Sequence, residues 1–380
     1  MNLDDVAYFQ PDILSMSIEY AGLDPLCKGE DSLSRDANDL YELGIPVFAA
    51  AGNDCHYVGQ CNENFYYTDT HDCVVDSPAS AMGVFTVGAH GEYLKGEEGV
   101  RIGDIAEYSS RGGTTTEGKG RTIIDITASG CRDYHMDIND NYYYDPEHYQ
   151  CGTSFATPTV AAGAAMILDW YSFYWSSLLV NPGRLYSFLL LMGDRAQEPF
   201  PENQPDSDFD PVFGAGRFKM RRLDTYGGDT FWAKNIMSTC IDDAETAYIY
   251  IYNGYPLPAG VDVFKAVMFY YDYRHENGTA IDNINMKLQE KINLGGIYRW
   301  VTVGGTREVD PGEEKERVFL SGNLEGRMFR LAVTGADVTS SNAGCGNDSM
   351  MVNISFFFED SARDDYLSGG IGPNDDINPE

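Results

Sequence analysis

The chain has 380 residues, with 59 Asp and Glu against 26 Lys and Arg and a formal net charge of −33. A charge of that sign excludes a nucleic-acid backbone as partner, because phosphates need a basic face. It fits a solvated acidic surface, calcium binding or salty surroundings. A hydrophobic fraction of 43% is enough for packed cores and argues against disorder. At about 150 residues per domain, the length suggests two or three domains. No apolar run reaches the ~18 residues a membrane-crossing helix needs; the most apolar stretch, Val160 to Leu168, is short and rich in Ala and Gly.

The predicted elements begin with a buried strand over Asp12 to Ile18 and a helix over Ser32 to Leu43, stopped by Gly44. Buried strands follow at Ile45–Ala51, Val84–Ala89 and Thr122–Ile126. Helices are predicted at Thr157–Trp170 and Asn181–Leu191. This alternation argues for an α/β domain with a mostly parallel sheet over residues 1–224. After about residue 224 the pattern becomes that of strands. Candidates are Thr246–Tyr252, Val261–Tyr271, Phe329–Val333 and Met351–Phe358, with turn signals at Asn253-Gly254, Asn277-Gly278 and Pro311-Gly312. A β-sandwich is expected over 230–359, then an acidic disordered tail over 360–380.

Of eight cysteines, Cys27, Cys55, Cys61, Cys73, Cys131 and Cys151 lie in the first part, and Cys240 and Cys345 in the second. Even counts in both predict two separately bridged domains in an oxidising, extracellular setting; buried free thiols are the alternative. No spacing suits zinc. Met1 to Tyr8 lacks the basic and apolar regions of a signal peptide, so a preceding N-terminal part is expected.

The sharpest chemical signal is Gly152-Thr153-Ser154-Phe155-Ala156-Thr157-Pro158, running into an Ala-rich stretch. A serine at a helix start has free N–H groups and the helix dipole beside it, which favour developing negative charge. Gly152 permits close approach, and Pro158 reads as a first-turn proline. The bland reading is an N-cap serine. The second signal is Ala49-Ala50-Ala51-Gly52-Asn53, where a strand ends in small residues and an amide able to donate to an oxyanion; the bland reading is a turn asparagine.

The first segment resembles the serine motif of the subtilisin-like serine protease family, and the second its A-A-G-N segment. The resemblance implies Ser154 as nucleophile and Asn53 as oxyanion donor. Four further segments are similar in the family's order: Pro11–Ile18, Tyr108-Ser109-Ser110-Arg111-Gly112, Asp125–Gly130 with Ser129 in place of proline, and Phe213–Arg217. Together they cover about residues 10 to 222. The implied substrate cleft includes Ser15, Ser17, Ile18, Glu19, Ala50, Ala51, Gly52, Gly152 and Thr153, with an extended peptide added as a strand. Polypeptides are the expected partners of a monomer with no organic cofactor. The β-rich part looks like the jelly-roll domains appended to secreted subtilases.

The family's aspartate (D-T/S-G) and histidine (H-G-T) motifs are missing. None of His56, His71, His90, His135, His148 and His275 is followed by Gly-Thr, and His90-Gly91 comes after Asn53, out of order. Without a base, Ser154 keeps an ordinary hydroxyl. Two readings follow: a fragment of a secreted endopeptidase, inactive by itself, or an inactive subtilase-fold binding protein. A docking role of the β-rich domain alone is a third.

Two more expectations concern carboxylates. Glu19 stands where the family usually has glycine at the rim of the primary specificity pocket, and would favour a basic residue before the scissile bond; alternatively it points to solvent. Asp137, Asn139, Asn141 and Asp145 place oxygen ligands at alternating positions, as structural calcium needs, though without an EF-hand glycine; a solvated acidic loop is the alternative. Asn277-Gly278-Thr279, Asn347-Asp348-Ser349 and Asn353-Ile354-Ser355 are glycosylation sequons, meaningful only in a eukaryotic secretory pathway.

Overall fold

Val47–Ala50 and Val84–His90 are runs with almost no polar alternation, and they form adjacent parallel strands, β2 and β3, covered on both faces. The computed structural model describes residues 3–20, 28–54, 75–90, 105–106, 108–112, 122–132, 134–136, 142–144, 150–172, 181–194, 209, 212–219, 231–272, 282–305, 313–339, 345 and 348–359. The tail over 360–380, the Asn277-Gly278 and Pro311-Gly312 turns and the proposed calcium ligands lie outside them.

Helix α1 (Leu3–Phe9) precedes β1 (Leu14–Met16) and α2 (Ser32–Glu42). Strand β4 (Ile126–Ser129) follows β3. Short strands β5 (Cys131–Arg132), β6 (Tyr134–Met136), β7 (Tyr142–Tyr144) and β8 (Gln150–Cys151) then lead to helix α3 (Thr153–Ser172). Helix α4 (Pro182–Leu191), β9 (Gly193–Asp194) and β10 (Arg217–Phe218) complete this half. The sheet order is β1-β2-β3-β4-β10-β9, parallel except for β9. Alternate residues serve the two faces. Phe48, Phe85 and Val87 pack with α3 and α4, while Val47, Ala49 and Val84 pack with Ala37 and Leu40 of α2. The predicted parallel sheet with helices on both faces is therefore present.

Local chemistry explains the boundaries. Asp31 caps α2, accepting from the N–H groups of Leu33 and Ser34 at 2.9 and 3.1 Å. Gly44 follows α2 at φ 87°, as its predicted stop. Asn181 caps α4 by accepting from Gly183 N at 3.0 Å. Two strands differ from expectation. Ser15 is exposed and only Met16 is buried within β1, because β1 is the edge of the sheet. The strand expected at Thr122–Ile126 starts at Ile126 instead. Thr122 is drawn off by side chains of the β-rich half, its N–H donating to Glu313 Oε2 at 2.7 Å and its carbonyl accepting from Lys315 Nζ at 2.6 Å.

The β-rich half is an antiparallel sandwich. One sheet has the order β11 (Phe231–Asp242), β18 (Ser349–Glu359), β13 (Val263–Tyr270) and β16 (Lys315–Ser321). The other has the order β12 (Thr246–Tyr250), β17 (Phe329–Asp337), β14 (Asn283–Leu294) and β15 (Ile297–Gly305). Disulfides join Cys131 to Cys151 and Cys240 to Cys345, one in each half; the other four cysteines lie outside the described residues.

The two halves share one hydrophobic core. Helix α4 is buried along its length and packs against β18 and β13 as well as the parallel sheet. Tyr41, Tyr186, Phe269 and Tyr271 stack across the junction at centroid distances of 4.5–6.3 Å. Three buried cations from the sandwich also cross it. Lys265 Nζ donates to the carbonyls of Leu191 and Gly193 at 3.0 and 2.6 Å, at the C-terminal end of α4 where a cation is favoured. Arg317 donates to Ala215 O at 3.3 Å, and Lys315 pairs with Asp125 at 2.6 Å.

Candidate active site

The site lies where β1, β2 and the N-terminus of α3 converge. Strand β2 ends at Ala50; Ala51 and Gly52 continue it, both buried, and Asn53 follows half-buried. Gly52 sits at φ 105°, and a Cβ there would stand 2.6 Å from Glu19 Oε2 and 2.9 Å from Ser110 Oγ. Only glycine suits both the backbone and the space.

Thr153 locks Asn53. Its N–H donates to Asn53 Oδ1 at 3.0 Å, its hydroxyl lies 3.3 Å from the same oxygen, and Gly52 N donates to that hydroxyl at 3.2 Å. With Oδ1 held in this way, the amide NH₂ is the group left to donate. The amide faces Gly152, where a Cβ would lie 3.5 Å from Oδ1 and 3.6 Å from Nδ2. Thr153 is wholly buried, so it supports the site from below and does not line a cleft.

Ser154 is the second residue of α3 and is half-buried. Among the described residues no side chain hydrogen-bonds its Oγ. Its carbonyl accepts from Ser17 Oγ at 2.8 Å. Pro158 lies one turn inside α3, not in its first turn as expected. It therefore has no N–H for the carbonyl four residues earlier, which is that of Ser154. Ser17 supplies the missing donor from the segment after β1.

Ser15, Ser17, Ile18 and Glu19 are exposed along the sheet edge, while Ala50, Ala51, Gly52 and Gly152 are buried beneath them. Glu19 turns inward and accepts from Asn53 N at 3.1 Å. Burial and the Asp54 carboxylate raise its pKa, opposed by the Asn53 N–H. Asp54, unflagged by sequence reasoning although it directly follows Asn53, is thus part of the local charge. Ser110 ties the same turn from another side: its N–H donates to Gly52 O at 3.0 Å, and its hydroxyl accepts from Asp54 N at 3.1 Å.

The weaker sequence matches have structural roles. Asp125 accepts from Thr86 N at 2.6 Å and binds Lys315. Gly214, at φ 60°, passes so close to Asp125 that a Cβ would meet its backbone at 2.4 Å. His90 ends β3, and its carbonyl accepts from Gly130 N, whose own carbonyl accepts from Gly152 N. His135 lies in β6, and the remaining four histidines fall outside the described residues.

Among solved structures, the PatG macrocyclase in complex with peptide is 15% identical, covering 58% of this chain and 53% of that chain at a TM-score of 0.40. A cold adapted subtilisin-like serine proteinase is 19% identical, covering 52% and 54% at a TM-score of 0.34. Tripeptidyl Peptidase 2 is 12% identical, covering 94% of this chain and 36% of that one at a TM-score of 0.32. The chain spans about half the length of the first of these structures. Residues 3–179 match the model of the Subtilase family.

Proposed function

We propose that the chain carries the nucleophile and oxyanion parts of a serine endopeptidase that works through an acyl-enzyme. Ser154 Oγ attacks the peptide carbonyl, and the Asn53 NH₂ donates to the resulting oxyanion. The substrate lies extended along the exposed Ser15–Glu19 edge and gains main-chain hydrogen bonds there. The observation that carries this reading is the Thr153 lock, which holds the Asn53 carbonyl oxygen away and frees its NH₂ beside the Gly152–Ser154 turn. The disulfides support an oxidising, extracellular setting.

Among the described residues no side chain hydrogen-bonds Ser154 Oγ, and the reading includes a chain that is inactive or very slow as given. The same observation favours a second reading, a subtilase-fold binding protein without turnover.

A fluorophosphonate probe tests both, with labelling read by mass at Ser154. Labelling of the 380-residue chain above a Ser154→Ala control, lost in Asn53→Ala, supports an assembled acyl-transfer site and removes the inactive reading. No labelling of a folded chain supports catalytic incompleteness. Peptide binding that persists in Ser154→Ala would then select the binding protein.

A further inference from the structure

The β12-β17-β14-β15 sheet turns one face to the sandwich core, through Ile249, Met286, Leu288, Leu331 and Val333, and the other away from α4. The outward positions alternate with these. They carry Tyr248 and Tyr250 on β12, Arg330 on β17, Lys287, Gln289 and Lys291 on β14, and Tyr298 and Trp300 on β15. Among the described outward positions from Thr246 to Tyr250, Asn285 to Asn293, Tyr298 to Thr302 and Arg330 to Thr334, none is Asp or Glu. In a chain of net charge −33 this is a local reversal of sign.

Arg330 is held rigidly. Its guanidinium lies 3.7 Å from the Tyr248 ring centroid and 4.5 Å from that of Trp300, and its Nε donates to Gln289 Oε1 at 2.8 Å. Among the described residues its terminal NH₂ groups have no hydrogen-bond partner. A guanidinium fixed by two rings and an amide has already lost its rotamer freedom, and its free edge matches a carboxylate. Around it Tyr248, Tyr250 and Tyr298 are 48%, 49% and 65% exposed. Tyrosine, tryptophan and arginine clustered at the centre of a face are the residues that dominate protein–protein binding energy.

We infer that this face docks an acidic, aromatic-bearing segment of another polypeptide. Its carboxylate pairs with Arg330, and its apolar groups lie on Tyr248, Tyr250 and Trp300. Charge complementarity selects the acidic partner, and the clustering of Tyr, Trp and Arg favours a polypeptide, being the composition of protein-binding hot spots. The inference does not depend on catalysis by Ser154.

The test uses the full chain carrying Ser154→Ala and a fluorescein-labelled glutamate–tyrosine copolymer, read by anisotropy. Saturable binding is expected, weakening with salt, with a loss of about tenfold or more in Arg330→Gln. Tyr250→Ser and Lys291→Gln, both on the exposed face, give smaller losses and decide the matter if Arg330→Gln does not fold. A lysine–tyrosine copolymer should not bind. Absence of saturable binding, or binding unchanged in all three variants, overturns the inference. Binding of polygalacturonate as tight as that of the copolymer overturns the polypeptide assignment.

Discussion

The Ser17 hydroxyl donates to the Ser154 carbonyl at 2.8 Å, in the place of the N–H that Pro158 lacks. The segment along which a substrate would lie is thereby tied to the backbone of the residue that would attack it. Ser17→Ala is expected to lower stability by about 0.5–1.5 kcal/mol. In a Pro158→Ala background, where the new backbone N–H restores an in-helix donor, the same substitution should cost clearly less. A double-mutant cycle by urea denaturation measures the coupling; additive costs would mean that the two donors do not compete for one carbonyl.

Thr153 satisfies Gly52 and Asn53 with one buried hydroxyl. Thr153→Val keeps the shape and removes the oxygen, leaving buried polar groups unpaired. A loss of about 1–3 kcal/mol in unfolding free energy is expected. Thr153→Ser should recover most of it, and thermal melts of the pair give the comparison.

Lys315 and Asp125 form a buried pair between the halves. Such a pair contributes little net stabilisation by itself, but breaking it strands a charge. Lys315→Met is expected to cost about 3–5 kcal/mol, and adding Asp125→Asn should return part of that loss. Equal stability of the single and double variants in urea would count against an uncompensated carboxylate as the cause.

Glu313 Oε1 is buried with no hydrogen-bond partner among the described residues. Burial and the adjacent Glu314 push the Glu313 carboxyl up from 4.5 to about 8. A raised carboxyl pKa means the folded chain binds the proton more tightly than the unfolded one. This contribution to stability is complete below pH 4.5 and is lost as pH rises to about 8. Glu313→Gln should flatten that part of the stability–pH curve, measured by denaturant midpoints across the window.

Glu19 raises the matter of specificity. Its carboxyl is also held above the ordinary range, by burial and Asp54. As pH rises through its folded value it becomes charged, and preference for a basic side chain before the scissile bond should grow. Peptide aldehydes ending in Arg or Leu, compared by affinity against pH, test this; a Glu19→Gln chain with the same Arg/Leu ratio and pH slope would exclude Glu19 as the determinant.

Much of this was legible in the sequence because it rests on local chemistry. The α2 helix with its Gly44 stop, the apolar β2 and β3, and the Asn181 start of α4 all follow from short-range patterns. The Ser154 and Asn53 segments were visible because the residue types around them are unusual. Other features were hidden because they depend on partners far along the chain. The displaced start of β4 reflects Glu313 and Lys315, and the inward turn of Glu19 depends on Asn53 N. Pro158 looked like a first-turn residue because the donor that replaces its N–H comes from Ser17, 137 positions away from the accepting Ser154.

Helix α4, enclosed by the parallel sheet on one side and β18 and β13 on the other, has a consequence for how this protein can be cut or recombined. A chain ending after Phe218 would keep the sheet side of α4 covered but bare the side that packs against β18 and β13, together with the carbonyls that Lys265 occupies. The sandwich is thus no detachable appendage. Exchanging it for another module would require a replacement that brings its own apolar wall and its own lysine to the end of α4.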